Sequence, residues 1–261
     1  MFRLPKMRFL IAIAIAAFSL ITYFSNTEFN PVTEEKQRIS MTVEQEIALG
    51  LQATPKLAAQ YGGLHPDKKA REYVQKVGQD LVKRTVAVET PYQFDFHLLA
   101  DNQTVNAFAL PGGQIFITAA LFNQLNSEDQ LAGVLGHEIG HVVARHGAQQ
   151  MAKAKLTEGL TGAAVIATYD PDNPASAGSA AVAAMIGNLI NIKFGREDEL
   201  ESDRLGVRFM SETNYNPEAM IEVMKILSAA GGPNRQPEFF STHPNPENRI
   251  ERIRQAIKTY N

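Results

Sequence analysis

His137-Glu138-Ile139-Gly140-His141 sets two imidazoles four residues apart with a carboxylate between them. On a helix, positions i and i+4 share a face, so His137 and His141 could each aim a ring nitrogen at one metal ion. Glu138 leaves the same turn next door, where it could take a proton from a metal-activated water without ligating the ion. That chemistry is metal-assisted hydrolysis. A catalytic zinc needs a third protein ligand and keeps a fourth position for water. The longer pattern H-E-x-x-H-x-x-G-x-x-H fails here: Ala144 and Gly147 stand where glycine and histidine are required, and His146 falls one residue short. His146 is instead expected to support a ligand or cap the end of the helix. A later acid is the other source. In Glu197-Asp198-Glu199-Leu200-Glu201-Ser202-Asp203, Glu199 and Asp203 are four apart on one face. One could ligate while the other accepts the free N–H of a ligand histidine. Glu201 points elsewhere on that helix, and Glu197 and Asp198 suit a solvated helix start favoured by the macrodipole.

These side chains need elements to carry them. Ser127 with Gln130 predicts a capped helix start, followed by an apolar stripe of Leu131, Val134, Leu135, Ile139, Val142 and Val143. Upstream, Val105 to Leu110 and Gln114 to Thr118 form a predicted hairpin about Pro111-Gly112-Gly113. It feeds directly into the metal helix. An open strand edge there could hold an extended peptide by backbone hydrogen bonds. Before it, Thr42 with Gln45 opens a helix running to about Tyr61 despite Pro55, and Asp67 to about Thr85 forms a second. Tyr92, Phe94, Phe96 and Leu98 alternate with polar residues as a half-buried strand, which leaves His97 on its polar face. His65 falls in a solvated loop. Downstream, Pro217 to about Ala230 is a helix, Gly231 to Phe240 a loop, and Pro246 to Tyr260 a last helix. Ser176 to Ile192 is uncharged and rich in alanine and glycine. Its small residues, Asn188, Asn191 and the preceding Asp170–Pro174 break favour a packed helix or a flap near the cleft over a second membrane span.

Arg3, Lys6 and Arg8 precede an uncharged apolar run from Phe9 to Phe24, the order of a signal or signal-anchor. No small-x-small site closes the run cleanly, which favours an uncleaved anchor. Positive-inside orientation then puts the catalytic residues across the membrane: the periplasmic side of a bacterial inner membrane, or the free periplasm after cleavage. The expected layout is residues 1–25 as targeting segment, 26–41 as polar linker and 42–261 as one catalytic domain. A net charge of -3 and a pI near 6.1 argue against nucleic acid as a partner. Cysteine is absent, which removes thiolate ligands, a cysteine nucleophile and disulfides.

Four stretches together resemble a known family. They are Asn106-Ala107-Phe108-Ala109-Leu110-Pro111-Gly112-Gly113, the His137–His141 helix through His146, Glu199-x-x-x-Asp203 with Gly206, and Thr242-His243-Pro244 with Arg249-Ile250. In order and spacing they are similar to the zinc metallopeptidases that include the prenyl-protein (CAAX) endopeptidases, HtpX-type membrane proteases and BepA-type periplasmic proteases. The resemblance implies an α+β fold: a mostly helical zincin-like domain with a small antiparallel sheet beside the metal helix. It implies one Zn2+ held by His137, His141 and Glu199, Glu138 as general base, and polypeptide substrates received along Asn106, Ala107 and Phe108. It also implies that Asp203 and His146 support the ligands and that His243 and Arg249 flank the zinc as candidate helpers. His243 could assist the transition state or fill the open coordination position at rest. The alternative is a non-catalytic zinc-holding assembly factor, for which an intact Glu138 would have no purpose.

Overall fold

A computed structural model describes residues 4–168, 193–231, 237–246 and 248–260; the Asp170–Pro174 break and the Ser176–Ile192 run lie outside them. The chain forms two compact units, residues 1–40 with 148–192 and residues 41–147 with 193–261.

In the first unit, α1 (Leu4–Ser25) leaves Phe9, Ile13, Phe18, Ile21 and Phe24 exposed. Its Met7–Ser25 stretch is long and apolar enough to cross a membrane by length and composition. The segment expected as a linker has regular structure: β1 (Thr27–Asn30) pairs antiparallel with β2 (Glu35–Arg38). Asn30 organises the turn, its Oδ1 accepting from the Val32 amide at 2.9 Å and its Nδ2 donating to Gln37 at 3.1 Å. Such side-chain turn bonds leave no periodic apolar signal, so a polar reading could not find them.

The second unit carries the motifs. Helix α2 (Val43–Gln60) opens on a full capping box at Thr42 and Gln45 and contains Pro55; α3 (Lys68–Lys83) is capped by Asp67. A short 3-10 turn (Val86–Glu89) leads to β3 (Asp95–Leu99), β4 (Ala107–Ala109) and β5 (Gln114–Thr118). The β4–β5 hairpin is antiparallel as expected, with Gly112 and Gly113 at φ +86° and +105° in its turn. The order is β3-β5-β4, so the central strand is β5, buried throughout, and β3 joins it in parallel. His97, expected at the surface, lies half-buried on that sheet, stacked on Phe116 and 2.9 Å from Gln114 Oε1. The parallel partner brings Gln114 beside it.

After α4 (Ala119–Phe122) comes α5 (Glu128–Val143), the helix of the His137 motif. Ser127 caps it, accepting from the Gln130 amide at 3.2 Å, while Gln130 Oε1 reaches back to the Asn126 amide at 2.7 Å. Every residue from Gln130 to Val143 is buried, so the expected apolar stripe is only one of its packed faces. Helix α6 (His146–Thr168) follows the turn at Arg145, whose φ of +54° ends α5 in the left-handed region. The Arg145 guanidinium is tied to buried Glu46 with its Nε at 2.9 Å, which holds a conformation a free arginine would avoid. The remaining helices among the described residues are α7 (Arg196–Glu212), α8 (Ala219–Ala229), α9 (Phe239–Thr242) and α10 (Arg249–Tyr260). The last turns its buried Ile253 and Ile257 inward.

The close pairing of α5 with α7 positions everything else. Gly136 faces Gly206, and a Cβ at Gly140 would stand 2.9 Å from the Ser202 carbonyl oxygen. A methyl there would push the two helices apart, and with them the groups that meet across this seam.

Candidate metal centre

Across the α5–α7 seam, His137 Nε2 and His141 Nε2 lie 3.0 Å apart. The Glu199 carboxylate stands 3.5 Å from the first and 3.3 Å from the second. His243, just past α9, completes the group: one ligand atom from each of His137, His141, Glu199 and His243 lies within 4.8 Å of the others, and all four residues are buried. Two aromatic rings wall the pocket, Phe194 stacked 4.0 Å from His141 and Phe239 stacked 4.3 Å from His243.

Burial and neighbouring charges set the protonation of these groups. Glu199 is fully buried, and the desolvation that should raise its pKa is overcome by His243, His137 and His141, which hold it well below the usual range. Burial should likewise lower His137, yet the Asp203 and Glu199 carboxylates hold it at about 9. Burial drives His141 well below normal and His243 down to about 4, leaving both neutral with a lone pair to offer. Converging buried nitrogens and a carboxylate of this kind are costly alone and favourable around a divalent ion. The donor set therefore fits a metal ion.

Behind the cluster each group is held. His137 Nδ1 lies 2.9 Å from Asp203 Oδ1. Arg249 grips Asp203 with both arms, Nε at 2.7 Å and Nη2 at 2.9 Å, and sets Nη1 3.0 Å from Glu199 Oε2. Asp203 is lowered by that guanidinium against its own burial. Arg249, expected to flank the zinc as a candidate helper, is engaged by these two carboxylates. His146 sits behind His141, Nδ1 to Nδ1 at 2.9 Å. Glu201, expected to point elsewhere, reaches His146 Nε2 at 2.9 Å.

On the other side lie Glu138 and His243. Fully buried Glu138 and Nε2 of His243 have no side-chain hydrogen-bond partner among the described residues, and the two residues approach to 3.6 Å. Both Glu199 oxygens, His137 Nδ1 and Arg249 Nη1 also lack partners of hydrogen-bond geometry, so their close approaches are charge contacts. Burial raises Glu138 to about 8; His137 pulls it down, Glu199 pushes it further up, and Arg249 and a hydrogen bond from the Ala109 backbone lower it. Beside it runs β4, the edge strand. Asn106 O accepts from Thr118 N and Leu110 N donates to Gln114 O, so Asn106 and Leu110 face β5. The alternate residues Ala107 and Ala109 therefore turn their backbone groups to the free edge. Of the residues expected to meet substrate, Ala107 has its backbone there. The Phe108 ring packs on Phe116 at 4.8 Å and Tyr61 at 5.3 Å, and buried Asn106 donates to Tyr61 Oη at 3.3 Å.

Three features escaped the sequence reading. Phe194 and Phe239 carried no motif, and Glu201 was set aside by helical phase alone. The glycines of the seam had a usable signal: Gly136 and Gly140 one turn apart, opposite Ser202 and Gly206 at the same spacing.

Residues 68–257 match the profile of Peptidase family M48. The chain belongs to that family. The Beta-barrel assembly-enhancing protease of Escherichia coli (strain K12) is 34% identical over 70% of this chain and 38% of its own length. The Mitochondrial metalloendopeptidase OMA1 of Schizosaccharomyces pombe is 28% identical over 94% of this chain and 70% of its own. The Metalloendopeptidase OMA1 of Bos taurus is 26% identical over 97% and 51%. The chain thus spans 38% of the bacterial relative's length. This M48 membership agrees with the resemblance carried by the four motif stretches and with a mixed α and β domain built around the His137 helix.

Proposed function

We propose that the chain is a zinc-dependent endopeptidase in which His137, His141 and Glu199 hold the ion and Glu138 is the general base. The observation that carries this is the buried convergence of those donors beside a buried glutamate with no side-chain hydrogen bond among the described residues, in a chain of a peptidase family. Zinc bound there would supply Lewis acidity, polarising a peptide carbonyl and lowering the pKa of water toward roughly 7.

The protein's own residues do the rest. An extended peptide would pair with the outward backbone groups of Ala107 and the Ala109 carbonyl, an arrangement that reads backbone rather than side-chain identity. That suits unfolded or extended polypeptides. Glu138, raised to about 8 in the metal-free site, is a stronger base than a surface glutamate. It can take a proton from attacking water and return it to the leaving amine. Arg249 and Asp203 keep Glu199 and His137 aimed. His243, neutral near pH 7, offers either a hydrogen-bonding nitrogen for the transition state or a fourth ligand at rest. The exposed apolar face of α1 supports a membrane anchor or signal, with the catalytic unit in the periplasm as the sequence order of charge and apolar residues implies. The name of the bacterial relative makes unassembled β-barrel proteins the first substrate class to try.

The test is cleavage of unfolded casein by the purified chain. Activity that needs zinc, is blocked by a chelator and is lost in Glu138→Gln supports the reading. Chelator-resistant cleavage, or full activity in that variant, overturns it.

A further inference from the structure

We propose that Glu201 and His146 form a relay that locks His141 in the one tautomer able to bind metal, making Glu201 a positioning residue for the centre. The proposal rests on His141 being a ligand, as read above. Three distances carry it. Glu201 Oε2 lies 2.9 Å from His146 Nε2, His146 Nδ1 lies 2.9 Å from His141 Nδ1, and His141 Nε2 faces the cluster 3.0 Å from His137 Nε2.

The proton count follows from the donor rules. An ionised carboxylate only accepts, so the His146 nitrogen facing Glu201 must carry the N–H. A neutral imidazole has one N–H, so His146 Nδ1 is left as an acceptor. His141 Nδ1 must then donate to it, and His141 Nε2 keeps its lone pair, directed at the cluster. Ser202 Oγ, 3.2 Å from the same His146 nitrogen, can donate there as well and reinforces the assignment. The reverse order fails at both ends. It would face two acceptors at Glu201 and place the His141 proton inside the metal cluster, where it blocks ligation.

Each ligand histidine thus has its own carboxylate: Asp203 directly for His137, Glu201 through a second ring for His141. Partners of this kind orient a metal-bound imidazole and raise its basicity. The turn at Arg145 makes the relay possible, because it starts α6 with His146 against α7. Glu201 is partly exposed, its side chain at 17%, so replacing it leaves no buried hole.

The experiment uses the full chain labelled with 15N-histidine, comparing wild type, Glu201→Ala and Glu201→Gln. Long-range 1H–15N spectra of the metal-free chain report which nitrogen of His141 is protonated, and chelator competition reports zinc affinity. Wild type should show His141 protonated at Nδ1. Glu201→Ala should mix the tautomers and weaken zinc by about tenfold or more. Glu201→Gln, whose amide oxygen still accepts from His146, should restore both. An unchanged His141 tautomer and unchanged zinc affinity in Glu201→Ala would overturn the relay. So would a glutamine variant as impaired as the alanine one. Zinc that binds wild type without shifting the His141 resonances would instead fail the ligand assignment, and the metal-free tautomers would still decide the relay.

Discussion

The two sides of the candidate centre are built on opposite rules. On one side, Asp203 and Glu199 of α7 meet Arg249 of α10 at 2.7 to 3.0 Å, and Glu201 of α7 meets His146 at the start of α6 at 2.9 Å. On the β4 and α9 side, the buried Glu138 carboxylate and His243 Nε2 come no closer than 3.6 Å to each other, with no side-chain hydrogen bond among the described residues, and the edge strand keeps one row of backbone groups unpaired by the sheet. A holding side must be over-determined, because a ligand displaced by a fraction of an ångström loses the ion. A reacting side must keep groups available for substrate, and so leaves them without close charged partners.

Breaking the reacting side should leave the holding side intact. Glu138→Gln should cut peptide hydrolysis by roughly 10² to 10⁴-fold while zinc content stays at the wild-type level. Kinetics with parallel metal analysis check both halves; joint loss of metal and activity would erase the division. Breaking the holding side should cost the fold as well. Arg249→Leu strands Asp203 and Glu199 as buried charges and should destabilise the metal-free chain by about 3–5 kcal/mol, measured by denaturant unfolding. Asp203→Asn, a milder cut, should weaken zinc by about 10–100-fold, read by chelator competition.

A pH series sharpens the same division. In the metal-free site His137 keeps its proton up to about 9, because the nearby carboxylates favour the charged ring. Its raised pKa means that zinc must displace a proton at any lower pH. Affinity should therefore rise with pH from neutrality toward about 9, releasing about one proton per ion, and flatten above it. His141, held neutral, should add no such competition. Calorimetry in buffers of different ionisation enthalpy counts the protons; a pH-independent affinity over that range would contradict the assignment.

Local signals carried further than long-range ones. The α5 helix, its Ser127 cap and the hairpin about Gly112-Gly113 were readable because period, cap and turn chemistry act within a few residues. Glu199 and Asp203 are separable from Glu197 and Asp198 by helical phase, and phase also keeps Glu201 out of the cluster without naming its partner. Phase states which side of a helix a residue leaves, and only the fold states what waits there; for Glu201 it is His146, 55 positions earlier. The parallel β3–β5 pairing was hidden for the same reason, since nothing in either strand names its partner. Arg249 carried a resemblance that brought it to the site, but its bidentate grip on Asp203 could be seen only across packed helices.

The central claim is that three side chains from two distant helices hold one zinc. Anomalous diffraction at the zinc edge from zinc-loaded crystals tests it most directly. One peak per chain, bonded by His137 Nε2, His141 Nε2 and a Glu199 oxygen at about 2.0–2.2 Å, is the predicted result. A peak bound elsewhere, or one at this site lacking Glu199, would contradict it.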